Sequence, residues 1–340
     1  LLVVAALLLG GSLAWAGAGW AVVYLPSAAV AVWWLRKLAR RMGAAPPDPA
    51  PGGPEPAVGS AEPVGRAFWR FSSARALTSI LQMAMQRLDI VLVGALAGAG
   101  AAAVYTAASR FVVVGQTLGT ALGNASDPRI AASMASGNTG AVREIYQAST
   151  AWFVALTWPM FLLLVVLREP LLAIFGPDYG SAGPALVVLS LAMLLSTAFG
   201  TVDSVIVMAG HTGWNLVNAV LAAAVMFGLD LLLIPAWGVL GAAIGWASAI
   251  VVRNVVGLGQ VRLALRLHPF GRATLLTVAL NLVAFLGIPM AFRALLGDGL
   301  PDLVVGCAVA VVLYAGGLWS LREPLQLGAL ISFPGGRDRG

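Results

Sequence analysis

A row of polar and charged side chains runs through an otherwise apolar segment of the chain. Its members follow each other at intervals of three or four residues and so share one helix face: Ser72, Arg75, Ser79, Gln82, Gln86 and Asp89. Polar side chains are costly in lipid and normally face a bundle interior or a water-filled cavity. This polar row is either a cavity wall or a set of hydrogen bonds between helices. We favour the cavity, because Arg75 and Asp89 have no opposite charge one turn away in the row.

The next apolar segment adds candidate cavity residues at Gln116 and Asn124. Arg110 lies several turns inside the same segment. It either pairs with a carboxylate such as Asp89 or binds an anionic ligand, since both roles use the planar fork of guanidinium N–H groups. Arg87 either extends towards the membrane surface or pairs locally. The residues alone leave these roles open.

Later in the chain, two carboxylates are further candidates. Asp203 lies inside an apolar segment and is a candidate for cation or proton coupling, although we favour a merely hydrated carboxylate near a span end. Asp230 is expected at the membrane interface. Metal-ligand spacing is absent, because Cys307 is the single cysteine and His211 and His268 lie in different loops. We therefore predict no metal, no cofactor and no catalytic residues.

The composition places these side chains in a membrane protein. Of the 340 residues, 60% are hydrophobic and only 10% are charged, whereas a soluble domain has about 25% charged residues. Ten apolar runs, the first of them partial, predict membrane helices rather than barrel strands. They cover residues 1–9, 17–35, 68–96, 101–122, 148–167, 185–208, 216–234, 239–258, 275–292 and 303–319. The net charge of +6 comes from basic residues at the ends of these runs, so we predict no binding to nucleic acid.

The basic loops predict the orientation. Counting spans puts every basic loop on one side, which is then cytoplasmic, and the C-terminal tail lies on that side too. Between the spans, a Pro-rich segment has nothing to bury and is predicted to be a cytoplasmic linker. The predicted parts are the last two helices of one bundle (1–43), the linker (44–65), a six-helix bundle (66–268), two further helices (269–322) and the tail (323–340).

An internal duplication is one interpretation of this arrangement. Residues 7–21 are similar to residues 233–247, and each match is followed by an apolar span that ends in basic residues. A duplicated six-helix unit would then retain only its last two helices at the start of the chain, so that we expect an N-terminal truncation. The other interpretation is that Gly, Ala and Trp recur by chance where membrane helices begin.

A series of short motifs resembles a known transporter family. Residues 87–90 (RLDI) and 103–110 (AVYTAASR) are similar to the seventh and eighth helices of bacterial polysaccharide flippases, in the multidrug/oligosaccharidyl-lipid/polysaccharide exporter superfamily. The similarity continues in the family's order at 175–179 (FGPDY), 209–212 (AGHT), 233–235 (LIP) and 238–243 (GVLGAA).

The resemblance implies an all-α membrane fold of two pseudo-repeated six-helix bundles around a cavity, with two additional C-terminal helices. It also implies a flippase of the bacterial cytoplasmic membrane. Such proteins move undecaprenyl-phosphate-linked oligosaccharide across the bilayer by alternating access, often with an ion gradient, for polysaccharide biosynthesis. Basic cavity residues bind the pyrophosphate and sugars, and by position these are Arg75, Arg87 and Arg110, with Asp89 as their partner. Polysaccharide polymerases and glycosyltransferases are candidate protein partners.

Two other function classes compete with this hypothesis. A multidrug or cation antiporter of the same superfamily would have the same fold, but its cationic ligand should meet carboxylates, and these spans hold about as many arginines as acids. A membrane glycosyltransferase or ligase needs a catalytic acid or base in a sizeable external loop. The longest external connection, 168–184, offers only Glu169 and Asp178. We therefore predict a transporter and not an enzyme.

Overall fold

Helices make up nearly all of the chain that the computed structural model describes, namely residues 64–297 and 299–321 together with Val30, Trp33 and Lys37. These residues contain no strand, as the all-α prediction requires. Most of the two predicted N-terminal spans, nearly all of the Pro-rich linker and the C-terminal tail lie outside the described residues.

The described helices belong to the second of two compact units, Leu1–Ala61 and Glu62–Gly340. They are α1 (Val64–Ala97), α2 (Ala99–Ala135), α3 (Thr139–Val166), α4 (Arg168–Ala173), α5 (Gly183–Ala198), α6 (Val202–Met208), α7 (Thr212–Trp237), α8 (Val239–Gln260), α9 (Arg272–Leu282), α10 (Ile288–Leu296) and α11 (Leu300–Ser320). A 3-10 helix (Pro177–Ala182) precedes α5, and π-helical turns follow α8 (Val261–Leu265) and α9 (Val283–Gly287).

Within the described residues, seven helical segments are long and apolar enough to cross a membrane, which makes the chain a multi-pass membrane protein. They are Arg75–Ala97, Thr139–Val166, Pro177–Ala198, Thr212–Trp237, Val239–Leu265, Arg272–Leu295 and Pro301–Ser320. An eighth span was expected at 101–122. That segment lies within α2, a helix of 37 residues that is long enough to cross a membrane. It is less apolar than the seven, because polar side chains recur along it.

Packing between the helices joins segments that are far apart in sequence. Helix α7 packs against α1 and α8, and α3 packs against α2, α5 and α9. The last helices are fixed to this bundle by α9 and by Tyr314 of α11, whose hydroxyl donates a 2.7 Å hydrogen bond to the carbonyl of Ala155. The ring of Tyr314 also meets that of Phe285 edge-on at 5.0 Å. A buried hydroxyl with a partner and an aromatic pair together stabilise this contact.

The span predicted at 185–208 is two helices instead of one, which corrects the sequence-based assignment. The α-helical ladder stops after α5 and resumes at α6. Between them Gly200 has φ +68°, a conformation that favours glycine, and a side chain there would overlap Thr150. The freed carbonyl of Phe199 accepts a 2.8 Å hydrogen bond from the hydroxyl of Tyr146. The interruption is therefore satisfied inside the bundle, as apolar surroundings require.

Helices α7 and α8 approach each other closely at Gly241, where a Cβ atom would overlap the backbone carbonyl of Leu233. Backbone atoms cannot rotate away, so we expect Gly241→Ala to destabilise the protein by about 1–3 kcal/mol through overpacking. The control is Gly259→Ala in the same helix, where nothing lies within 4 Å and alanine is the better helix former. The apparent Tm of the detergent-purified variants checks this, and equal values for both would contradict the close approach.

Candidate functional site

A polar cavity of about 480 Å³ is lined mainly by α1, α2, α5, α6 and α8, with one residue each from α3 and α7. Its wall carries six side-chain amides, those of Gln82, Gln86, Gln116, Asn124, Asn215 and Asn254. We refer to it as the amide cavity. The charged side chains on its wall are two arginines and two aspartates: Arg75, Arg253, Asp127 and Asp203. Phe153 and Trp246 supply aromatic surface.

Helix α1 contributes four members of the polar row to this cavity, Arg75, Ser79, Gln82 and Gln86. Their spacing of four, three and four residues keeps them on one face, as the sequence predicted. From α2, Gln116 and Asn124 face the same space, and the amide of Gln86 donates a 3.1 Å hydrogen bond to the Gln116 oxygen. The row thus has both of the features that were posed as alternatives, a cavity wall and a contact between helices.

Asp89, the last member of the polar row, lies one turn beyond the cavity and is buried. Its carboxylate accepts hydrogen bonds from the hydroxyl of Tyr105, at 2.9 Å, and from the N–H of Ile90, at 2.6 Å. Its partner is therefore Tyr105 and not Arg110, which corrects the hypothesised ion pair.

Arg87 and Arg110 are exposed and do not line the amide cavity. Helix geometry is the reason. Arg110 precedes Gln116 by six residues, which turns it about 120° away from the face of α2 that meets the cavity. Arg87 follows Gln86 directly and is turned about 100° away in the same manner. Of the three arginines assigned by position, only Arg75 reaches the cavity.

Arg253 of α8 is a cavity residue that the sequence analysis missed. Its Nη2 lies 2.5 Å from Oδ2 of Asp203, an ion pair between α8 and α6. With the Gln82 amide oriented so that its oxygen faces the guanidinium, that oxygen accepts from Nη1 at 2.7 Å and also from Nη2. The only signal was one Arg-Asn pair inside the apolar run 239–258. Because Asp203 already has a cationic partner, its candidacy for ion coupling is weakened.

Asp230 occupies the interior of the bundle, which corrects its expected interfacial position. Its exposed fraction is 0%, and neither carboxylate oxygen accepts a hydrogen bond from the part of the chain that the structure describes. The cause is its register on α7, since it shares the buried face with Met226 and Ile234. Gly245 of α8 leaves just enough space for the carboxyl group, because a Cβ there would overlap Oδ1.

A buried acidic pair results from these placements. The carboxyl groups of Asp89, on α1, and Asp230, on α7, are close enough to interact electrostatically, and Tyr105 interacts with both. An ionised carboxylate without compensation in an apolar interior costs on the order of tens of kcal/mol, so such a group takes up a proton or a cation. Among the described residues, no group of three or more His, Cys, Asp or Glu side chains is placed to hold a metal ion.

Comparison with known proteins identifies the fold. Residues 75–235 match the MatE family. No curated protein matches the chain significantly. Among solved structures, the lipid II flippase MurJ in an inward closed conformation is similar with a TM-score of 0.60 and 15% identity, over 73% of this chain and 53% of that one. This chain therefore spans about half the length of MurJ.

A second similar structure is a multidrug resistance MATE family transporter of the MOP superfamily, in an outward-facing conformation. The TM-score is 0.51 and the identity 16%, over 78% of this chain and 67% of that one. The first of these two proteins is a flippase and the second is a transporter. The chain thus has a helical fold similar to that of these two proteins, in agreement with the all-α fold that the sequence predicted.

Proposed function

We propose that the protein is a flippase for lipid-linked oligosaccharides and that the amide cavity binds the sugar head group. The observation that carries the proposal is the set of six amide side chains on the cavity wall. Each amide both donates and accepts hydrogen bonds, and so does each hydroxyl of a sugar. Arg75 and Arg253 are suited to the phosphate groups that join such a sugar to its lipid. Alternating access of the cavity would carry the head group across the bilayer.

Export of cationic drugs is the second candidate, favoured by the likeness to a multidrug transporter. A cationic ligand would seek unpaired carboxylates and aromatic faces. Of the two aspartates on the wall, Asp203 already pairs with Arg253, which leaves Asp127. The balance of amides over available carboxylates supports the oligosaccharide.

Cation or proton coupling belongs to the same proposal, at Asp89 and Asp230 instead of Asp203. The acidic pair begins one turn beyond Gln86 of the cavity wall, so binding at one place can influence the position of α1 at the other. A cation or proton that neutralises Asp230 would stabilise the packing of α7 against α1. Release would destabilise that packing, which is the differential effect that coupling requires.

Transport by the purified protein in proteoliposomes tests the proposal. We expect flipping of a fluorescent undecaprenyl-diphosphate-linked oligosaccharide and no accumulation of a cationic dye such as ethidium. The opposite result would establish the drug antiporter, and neither activity in vesicles that hold folded protein would defeat both candidates.

The variant Gln116→Met connects this activity with the amide cavity. It keeps the length of the side chain and removes its hydrogen bonds, so we expect flipping to fall about three- to tenfold, the equivalent of one hydrogen bond. Thr117→Val is the matched control on the neighbouring residue, which is exposed and lies outside the cavity wall. Equal flipping by both variants would remove the cavity from the transport path.

A further inference from the structure

The ion pair of Arg253 and Asp203 is held asymmetrically. The side chain of Arg253 is 17% exposed and that of Asp203 is 45% exposed. Arg253 belongs to the long helix α8, and its neighbour Asn254 donates a 3.2 Å hydrogen bond to Ser196 of α5. Asp203 belongs to the seven-residue helix α6, directly after the interruption at Gly200. The cation is therefore built into the bundle, whereas the carboxylate is accessible from the cavity.

The N–H groups of Arg253 are only partly used: Asp203 accepts from Nη2, and Gln82, in the orientation given above, accepts from Nη1 and Nη2. The Nε atom of Arg253 is buried and has no hydrogen-bond partner among the described residues. A guanidinium has five N–H groups in a fixed plane, and a tetrahedral oxyanion with several oxygens uses more of them than a carboxylate contact through one oxygen. In the structure Asp203 makes that single contact, through Oδ2.

We propose that Arg253 is a binding site for phosphate oxyanions in the amide cavity and that Asp203 is its displaceable counter-ion. The inference rests on the proposed function for the identity of the lipid carrier. In the substrate-free protein, Asp203 neutralises Arg253 and avoids an uncompensated charge within the spans. A diphosphate that enters the cavity replaces Asp203 on the guanidinium, and the return of Asp203 assists release. Asp203 thus limits the affinity of the site instead of adding to it.

Binding to the purified full chain tests this assignment, with inorganic pyrophosphate and undecaprenyl diphosphate as probes in separate titrations. We expect Asp203→Asn to tighten pyrophosphate binding about tenfold, because the competing carboxylate is gone. We expect Arg253→Gln to weaken binding by at least the same factor. Asp178→Asn is the matched control, the same change at an exposed carboxylate that does not line the cavity, and it should change binding less than threefold.

The double variant gives the decisive comparison. In the Arg253→Gln background, the additional change Asp203→Asn should have no effect, since the carboxylate acts only by competing for Arg253. A site for diphosphate in general binds both probes, whereas binding of the lipid probe alone shows that the carrier tail is also required. Both results support the oxyanion site. If Asp203→Asn weakens binding as much as Arg253→Gln does, the ion pair is structural and the proposal is wrong.

Two further precautions keep the test independent of folding and of the transport assay. Should Asp203→Asn not give a monodisperse protein, Asp203→Ser removes the same charge with a smaller side chain. Pyrophosphate titration involves no sugar and no flipping. If the variants change pyrophosphate binding as expected but the protein does not flip the lipid, the oxyanion site is upheld and the proposed function is overturned. If the protein flips the lipid but pyrophosphate binding is unchanged in these variants, the proposed function is upheld and the oxyanion site is overturned.

Discussion

Replacement of Asp230 by asparagine is expected to abolish the response of flipping to an imposed ion gradient. The change keeps the size of the side chain beside Gly245 but removes the group that would bind the proton or cation. Gradient-driven flipping should fall at least about tenfold, while the apparent Tm is kept or raised, because an unpaired buried carboxyl group costs stability. Vesicles with an imposed Na⁺ or proton gradient, compared with vesicles without one, measure the effect.

Asp178→Asn is the matched control for this variant, because the same chemical change is made at an exposed carboxyl group, in the first turn of the candidate span Pro177–Ala198. It should leave both flipping and Tm unchanged. If flipping by the Asp230→Asn variant still responds fully to the gradient, the acidic pair takes no part in coupling. A strongly lowered Tm would instead indicate a structural partner for Asp230.

Arg75→Gln should reduce flipping of the lipid-linked oligosaccharide about tenfold or more, since a charge-assisted hydrogen bond to phosphate is worth roughly 1.5–3 kcal/mol. Arg110→Gln should stay within about twofold of the parent, because its side chain does not line the amide cavity. Initial flipping rates at matched protein content in proteoliposomes check both variants. A large loss of flipping with Arg110→Gln would support the head-group role that its position in the motif suggested. Full flipping by Arg75→Gln would show that Arg75 does not bind the phosphate.

The polar row of α1 could be predicted because helical periodicity acts within one segment. Spacing alone gives the shared face of Arg75, Gln82 and Gln86, and the structure has that face on the cavity. Arg110 shows the limit of the method. A motif identifies a residue but does not say which way its side chain faces relative to a cavity. Arg110 lies six residues before Gln116, and this offset places it on a different face of α2.

The remaining parts of the site depend on packing between distant segments. Asp89 and Asp230 are near enough to interact electrostatically because α1 packs against α7, and nothing in either segment alone predicts that proximity. The sequence provided only a weak indication that Arg253 lines a cavity. A lone arginine in an apolar run can equally extend its side chain to the membrane surface. The contact of Arg253 with Asp203, 50 residues away, becomes visible only in the folded structure.

The interruption between α5 and α6 has a mechanical consequence. Bending a continuous helix within a membrane breaks backbone hydrogen bonds, which nothing in the hydrocarbon replaces. Around Gly200 the ladder is already open, and the carbonyl of Phe199 is bonded to Tyr146 on another helix. Rotation of α6 about this joint therefore requires a change of φ and ψ at a few residues and no loss of helical hydrogen bonds. Side-chain contacts of α6, among them the ion pair of Asp203 with Arg253, then resist the rotation, and we expect a ligand in the cavity to shift the angle of α6 through the groups it touches.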